Sequence, residues 1–130
     1  MIVLDASVVV EMLLRPDACE PIFERLSRRG ESLHAPHLLD VEVAHVLRRA
    51  ARDGVIDERH GRMLVGELAA LPISRYAHQP LLPRIWALRS QITAYDAAYV
   101  ALAEALDAPL LTRDAKLATA APLSARVERV

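Results

Sequence analysis

The sequence predicts an α/β protein in which helices cover both faces of a central parallel sheet of four to five strands. Short apolar runs alternate along the chain with longer stretches of helical periodicity, as expected for strands joined by helical crossovers. The apolar runs are continuous, which is typical of strands buried on both faces. At 130 residues and 53% hydrophobic content, the chain is expected to form one domain, residues 1–130, around a sizeable core.

The first half of the chain contains two predicted strands. Its predicted elements are a strand at 2–4, a helix at 6–14, a helix ending near Arg29, a strand at 32–35 and a helix over 36–52. Pro16 ends the first helix, and Gly30 and Gly54 suit C-terminal caps. Pro36 is expected to start the long helix, whose helical pattern is Leu38, Val41, Ala44 or His45, and Leu47 or Arg48.

The second half of the chain continues the alternation. Its predicted elements are a helix at 57–71, a strand at 73–76, a helix carrying Trp86, a helix over 93–106, a strand at 109–112, a short helix from Asp114 and a strand at 126–130. Asp57 suits a helix start and Pro72 a helix end. The alanine-rich composition of 93–106 favours a helix.

Acidic residues border the predicted strand ends. Asp5 and Asp114 each follow a strand, Asp96 begins a helix, and Glu42 lies early in another. Because the carboxyl ends of parallel strands share one edge of the sheet, these four side chains are expected to meet there. Oxygen ligands without histidine or cysteine suit Mg²⁺ or Mn²⁺. A water acidified by such an ion can attack a phosphodiester.

Each acid also has an ordinary structural interpretation. Asp5 and Asp114 are placed to cap helices, and Thr93 and Asp96 have the spacing of a capping box. Glu42 lies inside its helix, where the alternative is a solvated surface glutamate. From the residues alone, both interpretations stay open.

Four segments in order carry a resemblance to a known family. They are Ile-Val-Leu-Asp-Ala-Ser at 2–7, Glu-Val-Ala-His-Val-Leu-Arg-Arg at 42–49, Tyr-Asp-Ala-Ala-Tyr-Val-Ala-Leu-Ala at 95–103 and Leu-Leu-Thr-Arg-Asp at 110–114. With these segments the chain resembles PIN-domain nucleases, and more closely the VapC-type toxins of bacterial toxin–antitoxin pairs. The resemblance covers nearly the whole chain and includes all four acids.

The resemblance implies a PIN-like fold and a metal-dependent endoribonuclease that cleaves structured RNA, such as transfer or ribosomal RNA. It implies that one or two magnesium or manganese ions are held by Asp5, Glu42, Asp96 and Asp114, with Asp5 and Asp96 as direct ligands. Ser7 and Thr112 match hydroxyl positions that would hydrogen-bond the carboxylates, a metal-bound water or a phosphate oxygen. A homodimer and a cognate antitoxin that inserts a segment into or beside the site are also implied.

The sequence also predicts the roles of residues outside the acidic cluster. Arg113 and Lys116 flank Asp114 and could contact RNA phosphates, although solvated positions are the alternative. The long helix is expected to turn Arg48, Arg49 and Arg52 to solvent, and Trp86 is expected in the core or a dimer contact. Asp40 and Asp107 are expected to be surface residues rather than further ligands.

Composition excludes several other classes. The net charge of −1 gives no large basic surface, but setting the four carboxylates aside leaves +3 on the rest of the chain. Aromatic residues make up 4%, too few for an extended base-stacking platform. The five histidines lack zinc-site spacing. The single cysteine and an N-terminus without a signal peptide or anchor predict a cytoplasmic protein with no membrane contact.

Rival functions lack a required residue. A phosphoacceptor signalling domain would need a lysine at a late strand edge, but the sole lysine, Lys116, falls in a predicted helix start. A phosphatase with an aspartate nucleophile would need a second aspartate at position 7, which is Ser7. A non-catalytic RNA- or protein-binding domain would not be expected to gather four acids against phosphate.

Overall fold

The computed structural model describes residues 1–27, 30–120 and 125–130. One five-stranded sheet forms its centre, and all neighbouring strands are parallel. The strands are β1 (Ile2–Leu4), β2 (Leu33–Pro36), β3 (Ile73–Tyr76), β4 (Leu110–Thr112) and β5 (Val127–Arg129). The helices are α1 (Ala6–Leu14), α2 (Glu20–Ser27), α3 (Leu38–Arg52), α4 (Glu58–Ala70), α5 (Leu82–Ala87), α6 (Ala94–Ala105) and α7 (Ala115–Thr119). The predicted fold class is confirmed, with five strands.

The strand order determines where a site can form. From edge to edge the order is β3-β2-β1-β4-β5. The chain therefore adds β2 and β3 on one side of β1, and then returns to add β4 and β5 on its other side. The gap beyond the carboxyl ends of β1 and β4 is therefore the topological switch point, where open α/β sheets bind ligands. Asp5 follows β1, and residues 112–114 end and follow β4.

The core holds both sides of this gap in place. The three residues of β1 are fully buried, as are Leu110 and Leu111 of β4. Helix α6 packs against β1, β2 and β4 and is buried along 97–103. Its many alanines allow the close approach of helix and sheet backbones that this burial requires. The first turn of α6 is thereby fixed beside the switch point.

Two expectations about the long helix were wrong. Pro36 is the last residue of β2, paired with Tyr76 of β3, and the helix begins at Leu38. The buried stripe of α3 is Leu39, Val43 and Leu47, whereas Val41 is 69% exposed. The predicted apolar face of α3 was therefore wrong at Val41 and correct at Leu47.

The two predicted glycine caps are confirmed, whereas the predicted core position of Trp86 is wrong. Gly30 and Gly54 have positive φ angles of 56° and 73°, as their predicted capping roles require. The predicted helix end near Arg29 lies outside the described residues. Trp86 is 68% exposed, so a place in the core was wrong. In the described part of the chain, no helix is both long enough and apolar enough to cross a bilayer.

Candidate active site

Asp5 is the centre of the site at the switch point. It occupies the N-cap position of α1, but its side chain makes no capping hydrogen bond, so the capping interpretation was wrong for this residue. Its Oδ2 instead accepts hydrogen bonds from Ser7 Oγ at 2.5 Å and from Thr112 Oγ1 at 2.8 Å. Asp5 is 7% exposed, so its charge is stabilised by these two donors rather than by bulk water.

The two hydroxyl groups also tie β1 to the segment after β4. Ser7 Oγ accepts the backbone N–H of Arg113 at 3.0 Å, and Thr112 Oγ1 accepts the N–H of Asp114 at 3.0 Å. Each hydroxyl has one proton, which it gives to Asp5, and a lone pair for the backbone N–H. The structure thus brings both predicted hydroxyl residues to Asp5. Oδ1 of Asp5 accepts no hydrogen bond from the described residues, which leaves that oxygen available to a ligand.

Glu42 extends toward the same edge from α3. Tyr99, on α6, donates its hydroxyl proton to Glu42 Oε2 in a short hydrogen bond. Burial raises the pKa of Glu42, the Tyr99 hydrogen bond opposes this, and the charges of Asp5 and Asp96 raise the pKa further. Glu42 is half-buried, and its carboxyl is electrostatically coupled to Asp5 and Asp96.

Tyr99 is the residue that sequence reasoning missed. It is 1% exposed, and burial followed by its contact with Glu42 raises its pKa well above the usual range, so the hydroxyl stays protonated and remains a donor. The available signal was spacing, because Tyr99 follows Asp96 by three residues and such pairs share one helix face.

Asp96 lies in the first turn of α6. Its backbone N–H donates to Thr93 Oγ1 at 3.2 Å, which is the forward half of the capping box that the spacing predicted. Burial raises the pKa of the Asp96 carboxyl, and the charges of Asp5 and Asp114 add to that effect, while Thr93 opposes it. The Asp96 carboxyl is therefore electrostatically coupled to Asp5 and Asp114.

Asp114 caps a helix, as its alternative interpretation predicted. Its Oδ1 caps α7 by accepting the N–H groups of Lys116 at 2.7 Å and Leu117 at 3.4 Å. The cap holds the carboxylate within electrostatic reach of Asp96. A capping residue can thus also belong to the acidic edge.

The donor set fits a hard, hydrated divalent cation. The coupled groups present carboxylate and hydroxyl oxygens, and the raised pKa values of Glu42 and Asp96 partly reflect repulsion that a cation would relieve. Among the described residues, no three histidine, cysteine, aspartate or glutamate side chains form a ready-made metal-binding group. Mg²⁺ typically takes one or two carboxylates directly and keeps several waters, so it does not require such a closed set.

The basic residues have different surroundings. Arg113 lies 3.9 Å from Glu11 in a loose ion pair, while Lys116 lines an open groove beside Asp96. Arg48, Arg49 and Arg52 are exposed on α3 as predicted.

Asp40 and Asp107 do not belong to the acidic cluster. Asp40 forms a two-pronged ion pair with Arg75 and is separate from the four acids, and Asp107 is exposed. Lys116 lies within α7 and not at a strand edge, which argues against the phosphoacceptor alternative.

Comparison with known proteins gives a consistent family assignment. The family model described as PIN domain matches residues 2–122. Ribonuclease VapC1 of Mycobacterium tuberculosis is 44% identical over 129 residues, which covers 98% of this chain and 96% of that protein.

Two solved structures share the fold at lower identity. One is the sarcin-ricin loop cleaving toxin VapC20 of Mycobacterium tuberculosis, with a TM-score of 0.70, 14% identity, and coverage of 97% of this chain and 99% of that chain. Another is a toxin-antitoxin complex from Klebsiella pneumoniae, with a TM-score of 0.65, 18% identity, and coverage of 98% and 96%.

Proposed function

Because this chain belongs to the PIN-domain family, among its VapC ribonucleases, we propose that it is a metal-dependent endoribonuclease and the toxin of a toxin–antitoxin pair. The observation that carries the proposal is the state of Asp5. The carboxylate of Asp5, buried at the switch point, has one oxygen fixed by Ser7 and Thr112, and its other oxygen accepts no hydrogen bond from the described residues. Glu42 and Asp96 are electrostatically coupled to Asp5, and Asp114 is coupled to Asp96.

The proposed metal is Mg²⁺ or Mn²⁺. Asp5 and Asp96 would hold it directly, with Glu42 and Asp114 completing the acidic shell. When bound, the ion neutralises the clustered charge and lowers the pKa of a coordinated water. The protein's own contribution is orientation, because a carboxylate fixed by hydrogen bonds does not have to be ordered when substrate binds.

Each supporting group has a separate task in this proposal. Ser7 and Thr112 hold the carboxylate of Asp5, and Tyr99 holds that of Glu42. The cap at α7 keeps Asp114 at the edge of the site. Arg113 and Lys116 lie on either side of Asp114 and would contact phosphates of the RNA strand.

The proposed substrate is structured RNA such as transfer or ribosomal RNA. VapC1 is named a ribonuclease and VapC20 a sarcin-ricin loop cleaving toxin, which supports this class. The proposed partners are a cognate antitoxin, supported by the Klebsiella complex of the same fold, and a second copy of this chain. We propose that the protein acts in the cytoplasm, where such RNA is found.

The test is cleavage of total RNA by the purified protein in Mg²⁺ or Mn²⁺. We expect discrete fragments that disappear with EDTA and with Asp96→Asn. Asp57→Asn is the matched control, because Asp57 caps α4 through the N–H of His60 and asparagine caps equally well. Cleavage by Asp96→Asn at the wild-type rate would contradict the proposed mechanism, provided that circular dichroism shows both variants folded.

A further inference from the structure

Arg113 is the basic residue that directly adjoins the four acids in the chain. It stands between Thr112 and Asp114, and its backbone N–H donates to Ser7 Oγ, which in turn donates to Asp5. The backbone of Arg113 is therefore fixed beside the acids. Clustered carboxylates attract any cation within reach, so a long arginine side chain at this position would be expected to fold onto them.

The side chain of Arg113 turns toward α1 instead. Its Nη2 lies 3.9 Å from Oε1 of Glu11, and within the described part of the chain this is the only ion pair of Arg113. Glu11 comes six residues after Asp5, on a crossover helix that leads back from the edge of the site. It therefore lies about 9 Å further along the helix axis. The ion pair holds the guanidinium against α1.

Electrostatic effects on neighbouring groups agree with this placement. Burial and the charge of Glu11 raise the pKa of the Cys19 thiol, and the charge of Arg113 lowers it. Burial also raises the pKa of the Asp96 carboxyl, but there the neighbouring charges are those of other acids, and they add to the effect of burial. The positive charge of Arg113 therefore acts beside Glu11, while the acids keep their mutual repulsion.

Glu11 has the surroundings that such a contact needs. Its side chain is 16% exposed, so water screens its charge only partly and a nearby cation stays attracted. Arg15, one helical turn further along α1, lies 3.8 Å from the same oxygen but is 72% exposed, and an ion pair with so exposed a partner contributes little. Arg113 is 40% exposed. Glu11 therefore interacts chiefly with Arg113.

We propose that Glu11 is a positioning residue, which holds Arg113 against α1 and so keeps the four acids open to a metal ion. Without the Glu11 carboxylate, the guanidinium would pair with the acids and compete with the cation. The inference rests on the proposed function, because it assumes that the four acids hold Mg²⁺ or Mn²⁺. It adds to that function a residue outside the four acids that sets their affinity for the metal.

The test is a double-mutant cycle on Mn²⁺ affinity, measured by isothermal titration of the metal-free protein. Glu11→Gln should bind Mn²⁺ about three- to fivefold more weakly than the wild type, because a partly exposed ion pair shifts an equilibrium only modestly. In the Arg113→Ala background, Glu11→Gln should cause no further loss, because the competing guanidinium is gone. A purely structural role of Glu11 would not produce this rescue.

The cycle also separates the contact from the charge. If only the negative charge of Glu11 attracts the cation, Glu11→Gln weakens binding equally with and without Arg113, and that result would overturn the inference. Unchanged affinity in the single variant would overturn it as well. Arg15→Ala is the matched control, because it removes the other partner of Glu11 and should not rescue Glu11→Gln. Rescue by Arg15→Ala as complete as that by Arg113→Ala would contradict the assignment of Arg113.

Glu11→Asp replaces Glu11→Gln if circular dichroism shows that the glutamine variant is unfolded. It keeps the charge, but a side chain shorter by one methylene cannot hold a partner that already lies at 3.9 Å. The same loss and the same rescue are expected, and wild-type affinity in Glu11→Asp would then refute the role of Glu11. Absence of Mn²⁺ binding by the wild type refutes the proposed metal site and this inference with it. Wild-type binding that Glu11→Gln leaves unchanged refutes only the role of Glu11.

Discussion

Replacing Tyr99 by phenylalanine tests whether the hydrogen bond between α6 and α3 prepares Glu42 for a metal ion. The substitution removes one hydroxyl from a buried ring and leaves the packing of the ring unchanged. A hydrogen bond to a charged group contributes about 1.5–3 kcal/mol, and the lower end applies because Glu42 is only half-buried. If this hydrogen bond holds the carboxylate in position for the ion, Tyr99→Phe should bind Mn²⁺ about tenfold more weakly than the wild type, since 1.4 kcal/mol corresponds to a factor of ten.

The assay is isothermal titration of Mn²⁺ into the metal-free protein, with urea unfolding measured in parallel. Tyr76→Phe is the matched control, because the Tyr76 hydroxyl lies 2.8 Å from Nδ1 of His34 and belongs to a different hydrogen bond. Tyr99→Phe should lose about 1.5 kcal/mol of stability and Tyr76→Phe about 1 kcal/mol, but Tyr99→Phe alone should lose metal affinity. Wild-type Mn²⁺ affinity in Tyr99→Phe, or an equal loss in Tyr76→Phe, would refute the reasoning.

Three further predictions concern stability. Because burial and neighbouring charges raise the pKa of Asp96, the folded metal-free protein binds this proton more tightly than the unfolded chain, and stability should fall as pH rises from about 4 through the raised pKa. Asp96→Asn should therefore be more stable than the wild type in urea at neutral pH without metal, and a less stable variant would contradict this. Thr112→Val removes a donor to Asp5 and the acceptor of the Asp114 N–H, which should cost about 1–3 kcal/mol in chemical denaturation; Thr112→Ser should keep most of that energy, and equal losses in both would count against the hydroxyl. Burial lowers the pKa of His34, so the unfolded chain takes up that proton first and thermal stability should decrease as pH falls below about 6.5; a melting temperature that His34→Gln changes equally at pH 7 and pH 5 would show that this residue does not titrate in the process.

The sequence located most of the acidic site because strand ends are visible in it. Asp5 and Asp114 follow short apolar runs, and the rule that parallel strands end at one edge brings them together without knowledge of packing. The hydroxyl residues Ser7 and Thr112 came from the resemblance to a family, and the structure shows both bonded to one oxygen of Asp5.

The orientation of α3 could not be obtained in the same way. Leu38 and Val41 have helical spacing, and so do Leu39, Val43 and Leu47. Packing decides which set is buried, and α3 packs against α1 and α4 as well as β2. Pro36 suits a helix start, but here it completes β2 by pairing with Tyr76, so the helix begins only at Leu38.

By itself, the sequence determined the parallel α/β architecture and the family, and it predicted the four acids as a site, because these depend on local periodicity and on residue type at particular positions. Tertiary structure alone decided that Asp5 is held rather than used as a cap, that Tyr99 contacts Glu42, and that Lys116 lines an open groove beside Asp96. Each of these features joins residues far apart in the chain. Their contacts depend on how the helices are oriented on the sheet. Periodicity shows that a helix has an apolar face, but it can leave open which of two faces is buried.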